Sequence, residues 1–337
     1  MRIKDIAHEA GVSTATVSHV INKTKYVSDP TREKVQRAIK KFNYHPNAHA
    51  QMLALGKSKI IGLLVSDISN PFFPEVIKSI EAAVIASGYN LFLLNTNYEM
   101  ARTMEYVHRL IQMKVAGIIL MIAEFDKALI TEAKRKKTSF VFQDLGFVGE
   151  KVSNIILDYA VGIDEAVQHL VSLGHTRIVH IAGSREIHSA EVRRKAFLES
   201  MKRHLPRCPE PKVFEGDFRF EGGRLAASRI MAERTRPTAV VVANDLMALG
   251  AMQEFKASGL HVPQDISIVG FDDISFASLS EPPLTTVCSP RVEFGRRAVD
   301  ALMLTVNKPH QRGVEIRIPT YLINRESTAP PRQKKGR

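Results

Sequence analysis

Over the first forty-four positions, apolar residues recur at helical spacing. Ile6, Ala7 and Ala10 share one face of a first helix, Gly11 supplies a turn, and Ser13 is placed to cap a second helix whose Val17, Val20 and Ile21 face inward. Thr14, Ala15, Ser18, His19 and Asn22 then point away from that core. A third helix is announced by Asp29-Pro30-Thr31, with Asp29 as its cap, and continues through Val35, Ala38, Ile39 and Phe42 until Tyr44-His45-Pro46 ends it. The pattern is that of a helix-turn-helix, although a plain capped helical hairpin would give the same core. The small, hydrogen-bonding outer face of the second helix suits base edges in a major groove. Residues 47–56 read as about two further turns of helix, stopped by Gly56 and too short to stand alone.

After Lys59 the rhythm changes to short apolar runs alternating with helix-length segments. Residues 60–65, 90–94, 116–121 and 139–143 read as buried parallel strands, and 177–182, 239–243 and 266–270 as a second set. Repeated strand and helix predicts two doubly wound α/β lobes following the all-α head.

Charge sharpens the division. Residues 1–60 hold eleven lysines and arginines against four acids, a net of +7, and residues 332–337 add +4, so little of the chain's +12 belongs to the lobes. The basic N-terminal module implies a polyanionic partner. The tail reads as a disordered, solubilising end. With 337 residues, 45% of them hydrophobic, the chain can bury a large core, and it has neither a signal-peptide pattern nor an apolar run of spanning length. A cytoplasmic location with no membrane association is expected. Cys208 and Cys288 lack metal-ligand spacing, and His45 and His49 flank Pro46 without further ligands, so neither a metal nor a cofactor is expected. No dinucleotide, phosphate-loop, zinc-protease or nucleophile-elbow motif occurs, and nothing favours an enzyme.

In doubly wound lobes, ligands meet the loops at the carboxyl ends of strands. Those loops carry Asp67, Asn70-Pro71-Phe72-Phe73, Asp144, Asn244-Asp245 and Asp272-Asp273. Such residues can hydrogen-bond several hydroxyls or ring nitrogens while an aromatic face covers a small ring. Asp67, Asp245 and Asp273 are read instead as helix caps, the commoner use of an acid at this turn.

Lys4-Asp5-Ile6-Ala7, Gly11 to Asn22, Tyr44-His45-Pro46-Asn47, Val242 to Gly250, Val269-Gly270-Phe271-Asp272-Asp273 and Pro282 to Thr286 together resemble the lactose/galactose repressor family of bacterial transcription regulators, closest in motif to its ribose and purine members. The resemblance runs from about residue 2 to about residue 328. It implies a helix-turn-helix DNA-binding domain (1–46), a hinge helix and linker (47–57), a periplasmic-binding-protein-like core that binds an effector and dimerises (58–328), and the basic tail (329–337). It also implies a homodimeric repressor of palindromic operator DNA controlled by a small molecule. By the same resemblance Thr14, Ala15 and His19 face bases, Thr16, Ser18, Asn22, Ser28 and Thr31 bind phosphates, and Leu53 wedges into the minor groove. Asn70, Phe72, Asp144, Arg193, Phe218, Asn244 and Asp272 would hold the effector, with sugar favoured over purine from Asn70 to Phe73. The alternatives are a purine-type repressor that needs a corepressor and, from another class, a solute-binding protein without DNA function. The end of the chain has no heptads for a tetramer.

Overall fold

The computed structural model describes residues 2–22, 24–44, 58–123, 127–135, 138–144, 147–308 and 310–332. The hinge segment with Leu53, both His45 and His49, and tail residues 333–337 lie outside the described residues. Two compact units are present, Met1–Lys59 and Ile60–Arg337.

In the first unit, α1 (Ile3–Ala10), α2 (Thr14–Asn22) and α3 (Asp29–Lys41) close over Ile6, Ala7, Ala10, Val17, Val35 and Ala38. Gly11 turns the chain with φ of 64°, a left-handed conformation that costs glycine little. Ser13 caps α2 as expected, its Oγ accepting the Thr16 N–H at 3.1 Å. The third helix begins one residue earlier than its pattern suggests. Ser28 is its N-cap, and Asp29 lies in the first turn, where it holds Arg32 at 2.7 Å. Lys41 reaches back to Glu9 at 2.8 Å and ties α3 to α1.

The second unit contains two six-stranded sheets. The first runs β11-β5-β4-β3-β1-β2, formed by β1 (Ile60–Val65), β2 (Asn90–Asn95), β3 (Gly117–Met121), β4 (Ser139–Gln143), β5 (Val152–Asp158) and β11 (Glu315–Pro319), all parallel. The second runs β12-β10-β9-β8-β6-β7, formed by β6 (Ile178–Ala182), β7 (Val213–Glu215), β8 (Ala239–Val242), β9 (Ser267–Asp272), β10 (Thr285–Cys288) and β12 (Tyr321–Ile323), with only β12 antiparallel.

Helices cover both faces, so the central strands are apolar on both sides. Ile61, Leu63, Val65, Ile119, Met121 and Val141 enter one core, while Leu64, Ile118, Leu120, Phe140 and Phe142 enter the other. In the second lobe α9 (Phe220–Met231) and α10 (Asp245–Ala257) touch backbone to backbone. A Cβ on Gly223 would lie 2.0 Å from the Met247 carbonyl oxygen, so no larger residue fits there.

The chain passes between the lobes three times. It leaves β5 at Asp158 into α7 (Tyr159–Ser172), returns after β10 into α12 (Arg291–Thr305), which packs on α4 (Phe72–Ala86), and crosses again at Thr320 between β11 and β12. Thr320 is buried and joins two crossings. Its Oγ1 donates to the Asp158 carbonyl at 2.7 Å and accepts the Gly162 N–H at 3.1 Å. Residues 329–332 run along the second lobe, where the Ala329 N–H donates to Ser267 Oγ at 3.0 Å and Arg332 pairs with Asp265 at 2.5 Å.

His180 lies wholly inside the second lobe on β6, stacked on Phe197 at 4.9 Å, with Nδ1 donating to the Val241 carbonyl at 2.8 Å and Nε2 buried without a hydrogen-bond partner. Burial, reinforced by the nearby Arg193 and Arg194 cations, pushes its pKa down to about 4 from 6.5. The native ring therefore binds a proton less readily than the unfolded one. Its contribution is complete above pH 6.5 and is lost as pH falls towards 4. Urea unfolding should give a stability at pH 4.5 lower than at pH 7, with about 2 kcal/mol of the difference due to this ring. His180→Phe should shrink that difference by the same amount, and an unchanged pH slope would exclude His180 as the source.

Candidate functional site

Two surfaces gather the residues singled out above, one in each unit. On the first, α2 exposes Thr14 and Ala15, with Thr16, Ser18, His19 and Asn22 half-buried beside them. One helical turn separates Ala15 from His19 and Thr14 from Ser18, so the four form a compact outward patch. The local bonds determine what each can offer. The Asn22 amide donates to Ser18 Oγ at 3.2 Å, which leaves the Ser18 hydroxyl proton free to donate elsewhere. Ser28 Oγ donates to Thr31 Oγ1 at 2.9 Å, with the same consequence for Thr31. Thr16 shares a 2.9 Å contact with Ser13 Oγ, and His19 Nδ1 lies 2.8 Å from Thr24 Oγ1.

The second surface is a cleft between the lobes, a space of about 650 Å³ partly open to solvent. Asn70, Phe72, Asp144, Arg193, Phe218, Asn244 and Asp272 all line it. Each residue comes from a strand end or the helix that follows. Asn70 Oδ1 accepts the Phe72 N–H at 3.0 Å and fixes the start of α4. Asn244 Oδ1 accepts the Met247 N–H at 2.9 Å and caps α10, while its amide donates to the Phe218 carbonyl at 2.9 Å. Asn244 therefore both caps α10 and holds the loop that carries the Phe218 ring.

The acids read as caps behave otherwise. Asp67 closes a local turn by accepting Ser69 N–H at 2.9 Å, well before α4. Asp245 is turned into the core, where it accepts the Ile274 N–H at 2.9 Å and meets Thr286 Oγ1 at 2.5 Å. Asp273 pairs with Arg325 at 2.6 Å, and Ile274 is the N-cap of α11 (Ser275–Leu279).

The centre of the cleft is Arg193, on α8 (His188–His204). Its guanidinium lies 4.1 Å from the Phe271 ring centroid, 4.7 Å from Tyr159 and 5.6 Å from Phe218, close enough for cation–π attraction. It pairs with Asp272 at 3.5 Å, donates to the Ala243 carbonyl, and keeps a buried Nε with no hydrogen-bond partner. Burial pushes Asp272 up to about 6, against the opposing pull of Arg193 and Arg291. It raises Asp245 well above the carboxylate range, with the neighbouring Asp272 charge adding to the effect. Asp144 is also raised by burial, although it accepts the Tyr159 hydroxyl at 2.5 Å and the Leu157 N–H at 3.0 Å. Buried acceptors, a forked donor and aromatic faces from both lobes can hold a small ring through its hydroxyls, ring nitrogens or a carboxylate.

Tyr159, Gln143, His188, Ser189 and Tyr98 also line the cleft, and sequence reasoning passed over them. His188 and Ser189 open the helix that carries Arg193, and Gln143 precedes Asp144, so closeness to marked residues was the available signal. Tyr159 follows β5, a strand that the apolar runs do not reveal. Among the described residues no group of three His, Cys, Asp or Glu side chains could hold a metal ion, and no helix is long and apolar enough to cross a membrane.

Residues 2–47 match the family model for bacterial regulatory proteins of the lacI family, and residues 167–328 match the periplasmic binding protein-like domain. The chain is 37% identical to the ribose operon repressor of Escherichia coli strain K12 over 96% of its own length and 99% of that protein. It is 36% identical to the HTH-type transcriptional repressor PurR of Pectobacterium carotovorum, over 97% and 96% of the two chains. A structure of the Lac repressor dimer bound to operator and the anti-inducer ONPF superposes with a TM-score of 0.86 at 32% identity, covering 98% of this chain and 99% of that one.

If Arg193 and Asp272 act as one buried unit, removing either partner leaves an uncompensated charge and should cost about 3–5 kcal/mol in thermal or urea unfolding. The Arg193→Met/Asp272→Asn double variant should lose less than the sum of the single losses by more than about 1 kcal/mol. Strict additivity would mean that the two charges do not compensate one another.

Proposed function

The chain belongs to the lacI family of bacterial regulatory proteins, and from that membership we propose a sequence-specific, homodimeric transcriptional repressor whose operator affinity is set by a sugar held between the two lobes. It is a regulator and not an enzyme, and it works in the cytoplasm where its DNA is. The observation that carries the reading is the convergence of six further cleft residues from both lobes around the buried Arg193 cation, on a chain whose first unit presents a polar recognition-type helix.

In this reading Thr14, Ala15 and His19 read bases, while Thr16, Ser18, Asn22, Ser28 and Thr31 hold phosphates. Leu53 kinks the operator centre from a hinge spanning 47–57, between a headpiece of 1–46 and a core of 58–328. Ligand binding changes the angle between the lobes and thereby the spacing of the paired hinges, so operator and effector affinities are linked reciprocally.

A sugar is favoured over a purine because Arg193 and Asp272 lie side by side to donate to and accept from neighbouring hydroxyls, with Phe72 and Phe218 supplying apolar faces. Among relatives, a LacI family regulator from Enterococcus faecium has been solved with bound ribose, at 27% identity. Homodimerisation is supported by apolar side chains that each lobe leaves exposed, Ile85 and Leu93 on the first and Leu225, Phe276 and Leu279 on the second.

A thermal-shift screen of the full chain against pentoses, hexoses, their phosphates and purines tests the ligand class. A sugar at one hundred times its Kd should add about 2.7 kcal/mol and raise Tm by a few degrees. That same sugar should change the affinity for a selected palindromic duplex more than twofold. Stabilisation by a purine and by no sugar would transfer the protein to corepressor control, and failure to bind any palindrome at low salt would remove the repressor reading. Leu225→Glu with Leu279→Glu should convert the dimer to monomer in sedimentation, and a dimer that persists would place the interface elsewhere.

A further inference from the structure

His19 lies near the end of α2 and Thr24 follows in the loop before α3, with the imidazole Nδ1 2.8 Å from the threonine Oγ1. The pair lies on the headpiece surface, Thr24 exposed and His19 half-buried, and neither belongs to the core of Ile6, Ala7, Ala10, Val17, Val35 and Ala38. A hydrogen bond to a histidine nitrogen does more than hold the ring still. It biases which tautomer is present, fully when the partner can only donate or only accept, and therefore whether the other nitrogen gives or takes a hydrogen bond.

We infer that Thr24 is a specificity-determining positioning residue: its hydroxyl engages His19 Nδ1 and makes Nε2–H a donor aimed at the acceptor edge of a guanine. This rests on the DNA-reading role of α2 proposed above. A hydroxyl can donate to Nδ1 of the neutral ring, whose intrinsically favoured tautomer carries its proton on Nε2. It can equally accept from Nδ1–H, in the protonated ring, where Nε2 also carries a proton, or in the minor neutral tautomer, so the hydroxyl leaves the favoured Nε2–H form in place where a carbonyl would not. A carboxylate or carbonyl at Thr24 would instead lock the neutral ring as Nδ1–H. Nε2 would then be an acceptor, suited to cytosine N4 or adenine N6 rather than to guanine N7 and O6. The residue type at position 24 thus sets the polarity of the reader at position 19, although it need not touch a base itself. It also fixes χ angles that an exposed imidazole would otherwise sample, an ordering cost met before DNA arrives.

The test uses the full chain and an operator selected by the wild-type protein from a randomised duplex pool. The guanine read by His19 is the position at which His19→Ala alone loses preference. At that guanine, replacement by 7-deazaguanine, which lacks the N7 acceptor, should weaken the wild type about tenfold, the size of a single lost hydrogen bond of roughly 1.4 kcal/mol. Thr24→Val should reduce the penalty to within about threefold while leaving penalties at other base pairs unchanged, and Thr24→Ser should restore it. Nitrogen-15 spectra of histidine-labelled protein should give Nε2 protonated in wild type and Thr24→Ser, with mixed tautomers in Thr24→Val.

An undiminished penalty in Thr24→Val, or an equal loss on every duplex, would overturn the inference while leaving His19 as a reader. If His19→Ala shows no position-specific effect, the base-reading assignment of His19 fails and this inference falls with it.

Discussion

The demand that organises the two-lobed unit is the accommodation of one buried cation. A guanidinium removed from water needs compensation, and Arg193 obtains it from three aromatic faces, a carboxylate and a backbone carbonyl rather than from solvent. These partners come from separated parts of the chain: Tyr159 at the first crossing, Phe218 on the loop before α9, Ala243 after β8, and Phe271 with Asp272 at the end of β9. Placing them around one point requires the second sheet to deliver its strand ends in register. Once they are there, the protonation of the neighbours follows. Asp272 is raised but partly restrained by Arg193 and Arg291, whereas Asp245, for which no neighbouring cation offsets burial, is driven further towards its neutral form.

The same cation connects the lobes. The Tyr159 ring lies under Arg193, and its hydroxyl donates to Asp144 at the end of β4 in the first sheet. One side chain at the crossing thereby touches the charge centre of the second lobe and the strand end of the first. Glu75 on α4 adds a second tie, holding Arg291 at 2.8 Å and accepting the Ser275 N–H at 3.0 Å from the other lobe. A ligand between the lobes therefore enters a network already shared by both.

How much of this was legible depended on how local each signal was. The central strands were readable because helices cover both sheet faces, the runs at 60–65 and 117–121 carry no polar side chain, and 140–142 is Phe-Val-Phe. β5 was not, since Ser153 and Asn154 interrupt its apolar character, although both are buried beside β11. β7 and β12, three residues each, are shorter than any pattern can mark. All seven residues expected at the effector site line the cleft, Asn70, Phe72, Asp144, Asn244 and Asp272 having been marked by strand-end position and Arg193 and Phe218 by family motifs. The division of labour within Asn244-Asp245 was not legible. Two adjacent side chains of similar capping ability occupy one turn, and only the tertiary partners, Phe218 for Asn244 and Ile274 and Thr286 for Asp245, decide that Asn244 caps while Asp245 turns inward. Tyr159 was invisible for a related reason, because its importance lies in Asp144 and Arg193, fifteen or more positions away.

The energetics of control follow from these contacts. A ligand shifts an equilibrium only by its differential affinity for the two states, and a tenfold change in operator affinity requires about 1.4 kcal/mol of coupling. That is the scale of one or two hydrogen bonds or cation–π contacts, not of a repacked core. The polar ties between the lobes, Glu75 to Arg291 and to the Ser275 N–H, are contacts of that size, whereas one apolar cluster continues from Ile61 and Val76 in the first lobe to Phe255 and Val269 in the second and keeps the two lobes joined. Thr320, bonded at once to Asp158 and Gly162, limits the freedom of two of the three crossings. In the repressor proposed above, the three crossings and a charge centre touching both lobes are the parts through which a difference in cleft contact would become a change of lobe angle.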